Sequence, residues 1–327
     1  MNGVVEPVVQ TVTGPIPARE LSFTLSHEHV GIGSYSRHAR DPWDKWALIN
    51  DEDLLADELL RFKAAGGSCI VDLTNIGLGR NPERIQRLSV RTGVPIVMGC
   101  GWYRGGWGAP EARIDQRSTA ALTDALVEEF EQGVGPGYVK PGVIGEIGTD
   151  RSWVNAQEER VFRAVARASR RTGLGIMCHA MRPRVGTAEL DLLLEEGADP
   201  RRIVIGHVDL CPHLDYHLAM LERGASIEYD FLGQHSGRMH DAVEPRLIDL
   251  LIELLNRGYA SQLMLSHDFG IAFNLHLVGG NGYTYLHDTF LPKLKARGVD
   301  ESTINQMMVH NPRRILALGS PTGGALA

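Results

Sequence analysis

The chain has 327 residues, of which 43% are hydrophobic and 22% charged, and its formal net charge is -7. This balance is typical of a globular protein and excludes disordered and fibrous classes, and the acidic charge without any run of lysine or arginine argues against a nucleic-acid partner. No stretch approaches the roughly 18 apolar residues of a membrane helix, and the first residues lack the pattern of a secretory signal, so we expect a cytoplasmic protein with no membrane partner.

Apolar stretches of strand length alternate with amphipathic helical segments along the whole chain. The predicted strands cover residues 22–30, 69–74, 95–101, 142–148, 175–180, 202–208, 225–230 and 262–268. The helices predicted between them include residues 53–67, 119–134 and 158–173. Buried strands joined by helical crossovers form parallel sheets, so eight such units predict an α/β fold, a (β/α)8 TIM barrel, with a doubly wound open sheet as the alternative.

We find no linker composition and no internal repeat, so the chain is interpreted as a single domain over residues 1–327. Residues 1–20 are expected to be a lead-in, residues 22–315 the barrel and residues 316–327 a tail.

Histidines and carboxylates lie at the carboxyl ends of several predicted strands, where a barrel builds its active site. This set comprises His27 and His29 on the first strand, Glu146 on the fourth, His179 on the fifth, His207 on the sixth and Asp268 on the eighth. Alternate residues of a strand point the same way, so His27 and His29 should project together and Glu28 should face the opposite side. The same alternation turns His267 away from the set.

A lone histidine in an apolar strand is more often a hydrogen-bonded core residue than a metal ligand. Six such groups buried together are different, because each would lose several kcal/mol of solvation without a partner and cations would remove that cost. The set can hold two divalent ions about 3.5 to 4 Å apart. Zinc suits these ligands, and cobalt, manganese and iron remain alternatives.

In this interpretation His27, His29 and Asp268 hold one ion, His179 and His207 hold the other, and Glu146 bridges the two. Such a site generates hydroxide at neutral pH and polarises a carbonyl or phosphoryl oxygen, which implies hydrolysis. Asp268 is also the expected catalytic proton acceptor.

The segments "TLSHEHV", "GVIGEIGTD", "MCHA", "VIGHVDL" and "MLSHD" occur in the order and spacing of the phosphotriesterase family, within the amidohydrolase superfamily. The resemblance runs from "VQTVTGPI" to "MMVHNPRRILAL". It implies a (β/α)8 barrel with two divalent metals, usually zinc, and the ligands His27, His29, His179, His207 and Asp268. It also implies a homodimer as one oligomeric state, since relatives are often dimers.

One position departs from the best-known members of that family. They carry a carboxylated lysine as the bridge on the fourth strand, where this chain has Gly145 followed by Glu146. The chain therefore resembles the branch of phosphotriesterase homology or phosphotriesterase-related proteins, in which a glutamate bridges the metals. Members of that branch do not reliably hydrolyse phosphotriesters, so the family name is poor evidence for the substrate.

Substrate contacts should come from the loops that follow the strands. Trp102 and Tyr103 follow the third strand, and Tyr103 matches the position of a tyrosine that lies against the substrate in lactonases of the family. Arg182 follows the fifth strand and could hold an anionic group of the substrate, with a surface ion pair as the alternative. Phe269 opens an apolar stretch after the eighth strand, which favours a hydrophobic substrate portion.

The sequence thus predicts a binuclear metal-dependent hydrolase, acting through metal-generated hydroxide on a small-molecule lactone, carboxylic ester or amide. One alternative is aryldialkylphosphatase activity on organophosphates. Another, from a different class, is a metal-containing barrel that binds a ligand without turnover.

Overall fold

A computed structural model of the chain describes residues 6–32, 51–105, 112–234 and 238–320. Eight parallel strands follow one another in chain order, each hydrogen-bonded to the next. An amino-terminal hairpin, β1 (Val8–Thr11) and β2 (Gly14–Pro17), precedes them. The eight barrel strands are β3 (Thr24–Glu28), β4 (Cys69–Asp72), β5 (Ile96–Cys100), β6 (Val143–Gly148), β7 (Ile176–His179), β8 (Ile203–Gly206), β9 (Ser226–Tyr229) and β10 (Leu263–Leu265). The predicted (β/α)8 barrel is confirmed, and each strand lies within its predicted range.

Helices alternate with these strands. They are α1 (Glu52–Ala64), α2 (Pro82–Thr92), α3 (Thr119–Gln132), α4 (Ala156–Thr172), α5 (Gly186–Glu195), α6 (Leu214–Leu221), α7 (Arg238–Asn256), α8 (Leu291–Ala296), α9 (Glu301–Asn305) and α10 (Asn311–Leu316). None of the helices in the described part of the chain is long and apolar enough to cross a bilayer.

Helix α4 illustrates how local sequence fixes the boundaries. The side chain of Asn155 accepts hydrogen bonds from the backbone of Gln157 and Glu158, and Glu158 completes a capping box. Gly173 ends the helix in the left-handed region at φ 77°, where glycine is favoured. The cap explains why the helix begins two residues before the predicted start at 158.

The barrel closes between its first and last strands just beyond the end of β10. The backbone amide of Asp268 donates to the carbonyl of His27 at 2.9 Å, and that of His29 donates to the carbonyl of Phe269 at 3.2 Å. The hydroxyl of Ser266 also donates to the carbonyl of His27 at 2.9 Å. These bonds bring residues 27–29 beside residues 266–269, at the rim that carries the site.

The opposite end of the barrel interior is apolar. Alternate strand residues, including Val71, Val97, Met177, Val204 and Met264, form one buried cluster inside the barrel. The antiparallel hairpin of β1 (Val8–Thr11) and β2 (Gly14–Pro17) covers this end together with helix α10. The interior of the barrel is therefore divided into an apolar base and a polar rim.

The proposed limits of the domain, its lead-in and its tail stay a prediction.

Candidate active site

All six side chains of the predicted ligand set meet at the carboxyl ends of the strands. They form two groups of three whose ligand atoms lie close enough to share an ion, His27 with His29 and Asp268, and Glu146 with His179 and His207. In the first group, His29 Nε2 lies 2.9 Å from Asp268 Oδ1. In the second, His179 Nδ1 lies 2.6 Å from Glu146 Oε2.

Glu146 lies between the two groups. Its Oε1 is 3.3 Å from His29 Nε2, and its Oε2 is 3.3 Å from His27 Nε2. The same Oε2 is 3.5 Å from His207 Nε2. One carboxylate thus reaches nitrogens of both groups, which is the geometry a bridging ligand needs.

Three of these imidazoles have their second nitrogen held by an oxygen on the outer side of the cluster. Asp230 lies 2.8 Å from both His27 Nδ1 and His207 Nδ1. His29 Nδ1 lies 3.0 Å from the hydroxyl of Thr74, which in turn donates to Asp72 Oδ1 at 2.6 Å. Partners of this kind fix the ring orientation and tautomer of metal-binding histidines.

The inward atoms fit a cation. His27 Nε2 is buried and makes no well-aligned hydrogen bond among the described residues, although Glu146 Oε2 lies 3.3 Å away, and this is costly for a polar atom unless something else binds it. His207 Nε2 lies only 2.6 Å from His179 Nδ1, so two ring nitrogens face one another at the same point. Divalent ions ligated by imidazole and carboxylate would satisfy both features.

Burial and the surrounding charges set the protonation of the cluster. Burial lowers the pKa of His179 to about 4. Burial opposes charge on His29 too, but hydrogen bonds to Asp268 and Glu146 outweigh it and raise the pKa to about 10. The pKa of Glu146 lies well below its usual range, because the neighbouring imidazoles outweigh burial. The carboxylates of Asp268 and Glu146 therefore favour positive charge at His29, whereas burial favours the neutral form of His179.

Two ligand candidates have left-handed backbone conformations. The φ angles are 59° at His207 and 54° at Asp268, and such conformations are unfavourable for residues other than glycine. Their amides are held in place, because the amide of His207 donates to Asp230 Oδ1 at 2.8 Å and that of Asp268 donates to the carbonyl of His27. Strain of this kind, supported by hydrogen bonds, is typical of functional sites.

A cavity of about 300 Å³ opens above the cluster. His29, Glu146 and Asp268 line it, and so do Tyr103 and Arg104. The hydroxyl of Tyr103 lies 3.2 Å from His179 Nε2. Of the four residues predicted to contact substrate, Tyr103 is the one that the structure brings to this cavity.

The other three predicted substrate residues lie elsewhere. Trp102 is buried in the hydrophobic core, and Phe269 is buried with its ring stacked on His267. Arg182 is exposed, and its Nε donates to the backbone carbonyl of Asp150 at 3.0 Å. As predicted, Glu28 faces away from the ligands, and its Oε1 lies 2.7 Å from His267 Nδ1.

The sequence interpretation missed three groups that the structure adds to the site. Asp230 ends the predicted strand 225–230, and Asp72 lies near the end of the predicted strand 69–74, so the rule that identified the six ligands also applies to them. Arg104 directly follows Tyr103, but sequence alone does not indicate which of several loop arginines faces the cavity.

The match to known proteins covers nearly the whole chain. The phosphotriesterase family matches residues 7–316. The phosphotriesterase homology protein of Escherichia coli is 32% identical over 292 residues, which cover 89% of this chain and 96% of that protein. The N-acetyltaurine hydrolase of Danio rerio is 29% identical, over 94% of this chain and 97% of the other. The crystal structure of a mutant PTE-like lactonase from Deinococcus radiodurans superposes with a TM-score of 0.80 at 30% identity, covering 94% and 100% of the two chains.

Proposed function

The chain belongs to the phosphotriesterase family and is a hydrolase, and we propose that it cleaves a small lactone, carboxylic ester or amide at a binuclear divalent metal centre. The observation that carries this proposal is the position of Glu146, whose two oxygens reach nitrogens of both ligand groups. A cluster that only stabilised the fold would not need a buried carboxylate between two sets of inward-facing ring nitrogens.

In this proposal His27, His29 and Asp268 hold one ion, His179 and His207 hold the other, and Glu146 contacts both. We favour zinc from the ligand types, while manganese, cobalt and iron also accept imidazole and carboxylate. Two ions bound there would lower the pKa of water towards neutrality and polarise the substrate's carbonyl.

Asp268 is the residue that we assign to proton transfer. Its side chain is 12% exposed, and it lines the cavity while its Oδ1 contacts His29 Nε2. It can therefore accept a proton from the attacking water and deliver it to the departing alcohol or amine, within the same small volume. Tyr103 contacts the outer nitrogen of His179 and so helps to keep that ring in position.

Two features favour a carbonyl substrate over an organophosphate. A lactone, ester or amide develops one oxyanion in its transition state, whereas a phosphotriester needs room for three substituents around phosphorus. The cavity of about 300 Å³ is at the small end for ligand sites. The similar proteins named N-acetyltaurine hydrolase and lactonase act, by their names, on an amide and on lactones.

The test is a substrate screen of protein whose metal content has been measured. We expect turnover of one acyl class among lactones, carboxylic esters and N-acyl amino acids or aminosulfonates, and slower turnover of aryl phosphotriesters. Preference for the phosphotriesters would support the aryldialkylphosphatase alternative. Full metal occupancy with no turnover of any compound, but with measurable ligand binding, would support the binding barrel.

A further inference from the structure

We propose that Arg104 binds an anionic group of the substrate, so that the enzyme prefers small acyl compounds carrying a carboxylate or sulfonate. This inference rests on the proposed function, because it takes the cavity above the cluster as the substrate site. It adds a specificity-determining residue and narrows the substrate class.

The position of Arg104 carries the argument. It lines the same cavity as His29, Glu146 and Asp268, and no other arginine or lysine does so among the described residues. Its side chain is only 10% exposed. A guanidinium that is mostly buried at the wall of a small cavity interacts far more strongly with an anion than one in open solvent.

Neighbouring groups fix the direction of this side chain. The guanidinium lies over the ring of Tyr103, with its carbon 4.9 Å from the ring centre. Its Nε is 3.3 Å from Asp150 Oδ1. A guanidinium has five N–H donors in a planar fork, so it can pair with a carboxylate along one edge and still bind a second anion.

The cavity has candidate metal ligands at one end and the Arg104 guanidinium at its wall. A compound with a reactive carbonyl at one end and an anionic group at the other matches that arrangement. A simple lactone has no anionic group and would use only the end with the metal ligands.

Arg182, the arginine predicted from the sequence to hold an anionic group, does not line the cavity above the cluster. It lines a separate groove beside Asp150, and its Nε donates to the backbone of that residue. Arg182 thus supports the segment whose carboxylate contacts Arg104. This difference makes the two arginines distinguishable by mutation.

The experiment compares two acetamides that differ in the anionic group, N-acetyltaurine and the neutral N-acetylethanolamine. For Arg104→Gln we expect kcat/KM for N-acetyltaurine to fall about 10- to 100-fold, mainly through KM, the usual loss for a charge-assisted hydrogen bond. The value for N-acetylethanolamine should change less than about 3-fold. Arg104→Lys should lie between the wild type and Arg104→Gln, because it keeps the charge and loses the fork.

Arg151→Gln is the matched control, since this exposed arginine next to Asp150 also lies over an aromatic ring, that of Trp153 at 5.7 Å. It should leave both values unchanged. If Arg104→Gln lowered kcat/KM equally for both substrates, or for neither of them, the inference would be wrong while the proposed function stood. If Arg182→Gln, and not Arg104→Gln, removed the preference, the anion would belong to Arg182.

A binding measurement separates this inference from the proposed function. Calorimetry with 2-(methanesulfonamido)ethanesulfonate, a non-hydrolysable analogue, and with neutral N-propylmethanesulfonamide needs no turnover. We expect the wild type to bind the sulfonate more tightly and Arg104→Gln to lose that difference. A wild type that hydrolyses nothing would overturn the proposed function, and equal binding of the two probes would overturn the role of Arg104.

Discussion

The carboxylate of Asp230 holds the outer nitrogens of two candidate ligands, His27 and His207, at 2.8 Å each. It also accepts a hydrogen bond from the backbone amide of His207, and this bond stabilises the left-handed backbone conformation of that residue, at φ 59°. Because the two imidazoles belong to different ligand groups, one side chain orients both halves of the centre. Loss of this carboxylate should therefore weaken the binding of both proposed ions.

We predict that Asp230→Asn lowers metal affinity about 10- to 100-fold, the usual effect of removing the partner of a ligating histidine. Competition with a chromogenic chelator, followed by elemental analysis, measures this change. Glu189→Gln is the control, because Glu189 is equally buried and its carboxylate contacts Thr149 Oγ1 rather than a ligand. Wild-type affinity in Asp230→Asn would contradict the role of Asp230.

Asp268 combines two expected roles, as a ligand atom and as the proton acceptor. Asparagine keeps a carbonyl oxygen but cannot take a proton, so Asp268→Asn should reduce kcat about 100- to 10,000-fold on the best acyl substrate. Metal content is measured on the same samples, so that loss of an ion is not mistaken for loss of the base. Unchanged hydrolysis by a fully loaded variant would exclude Asp268 as the proton acceptor.

At the scale of the strand, Gly145 lies where three backbones come close together. A Cβ there would be 2.8 Å from the carbonyl oxygen of Met177 and 2.9 Å from its Cβ, and the carbonyl oxygen of Gly145 lies close to Gly99. A lysine at this position would need the neighbouring strand to move. This crowding disfavours a side chain at position 145, and the candidate bridging carboxylate is Glu146, one residue further along β6.

We expect Gly145→Ala to destabilise the fold by about 1 to 3 kcal/mol, the usual cost of overpacking a closely packed site. Urea denaturation measures the change, and Gly319→Ala is the control, since a Cβ there would meet its nearest neighbours at 3.4 Å. The alanine at 145 should also weaken metal binding by displacing Glu146. A variant as stable as the wild type would show that β7 can shift to accommodate the added methyl group at little cost in free energy.

The strand ends show how far sequence reasoning reaches. Strand alternation predicted that His27 and His29 project together, because it depends only on backbone geometry. The contact of Asp230 with His27 joins residues 203 positions apart, and it depends on the register of the closed barrel. The direction of a loop side chain depends on packing, which is why Phe269 stacks on His267 and Arg104 reaches the cavity.

At the scale of the whole molecule, the barrel separates its stability from its chemistry. The base contains Val9, Leu21 and Ile315 packed against alternate residues of the strands, while polar groups gather at the rim. The amino-terminal hairpin and the carboxyl-terminal helix meet there, and the amide of Leu318 donates to the carbonyl of Val8 at 2.9 Å. Both ends of the described chain therefore help to close the apolar end.

This separation predicts that a core mutation at the base changes stability without changing the site. Leu21 is buried in that cluster, so Leu21→Ala should lower the free energy of unfolding by about 2 to 5 kcal/mol, through lost burial and the cavity left behind. At a temperature where the variant remains folded, metal content and kcat should equal those of the wild type, since the removed atoms lie at the far end of the barrel from the ligands. Leu60→Ala, at a position 44% exposed, is the control and should stay within about 0.5 kcal/mol of the wild type. Loss of metal from folded Leu21→Ala would mean that base and rim are coupled, because strain at one end of the strands would then reach the histidines at the other.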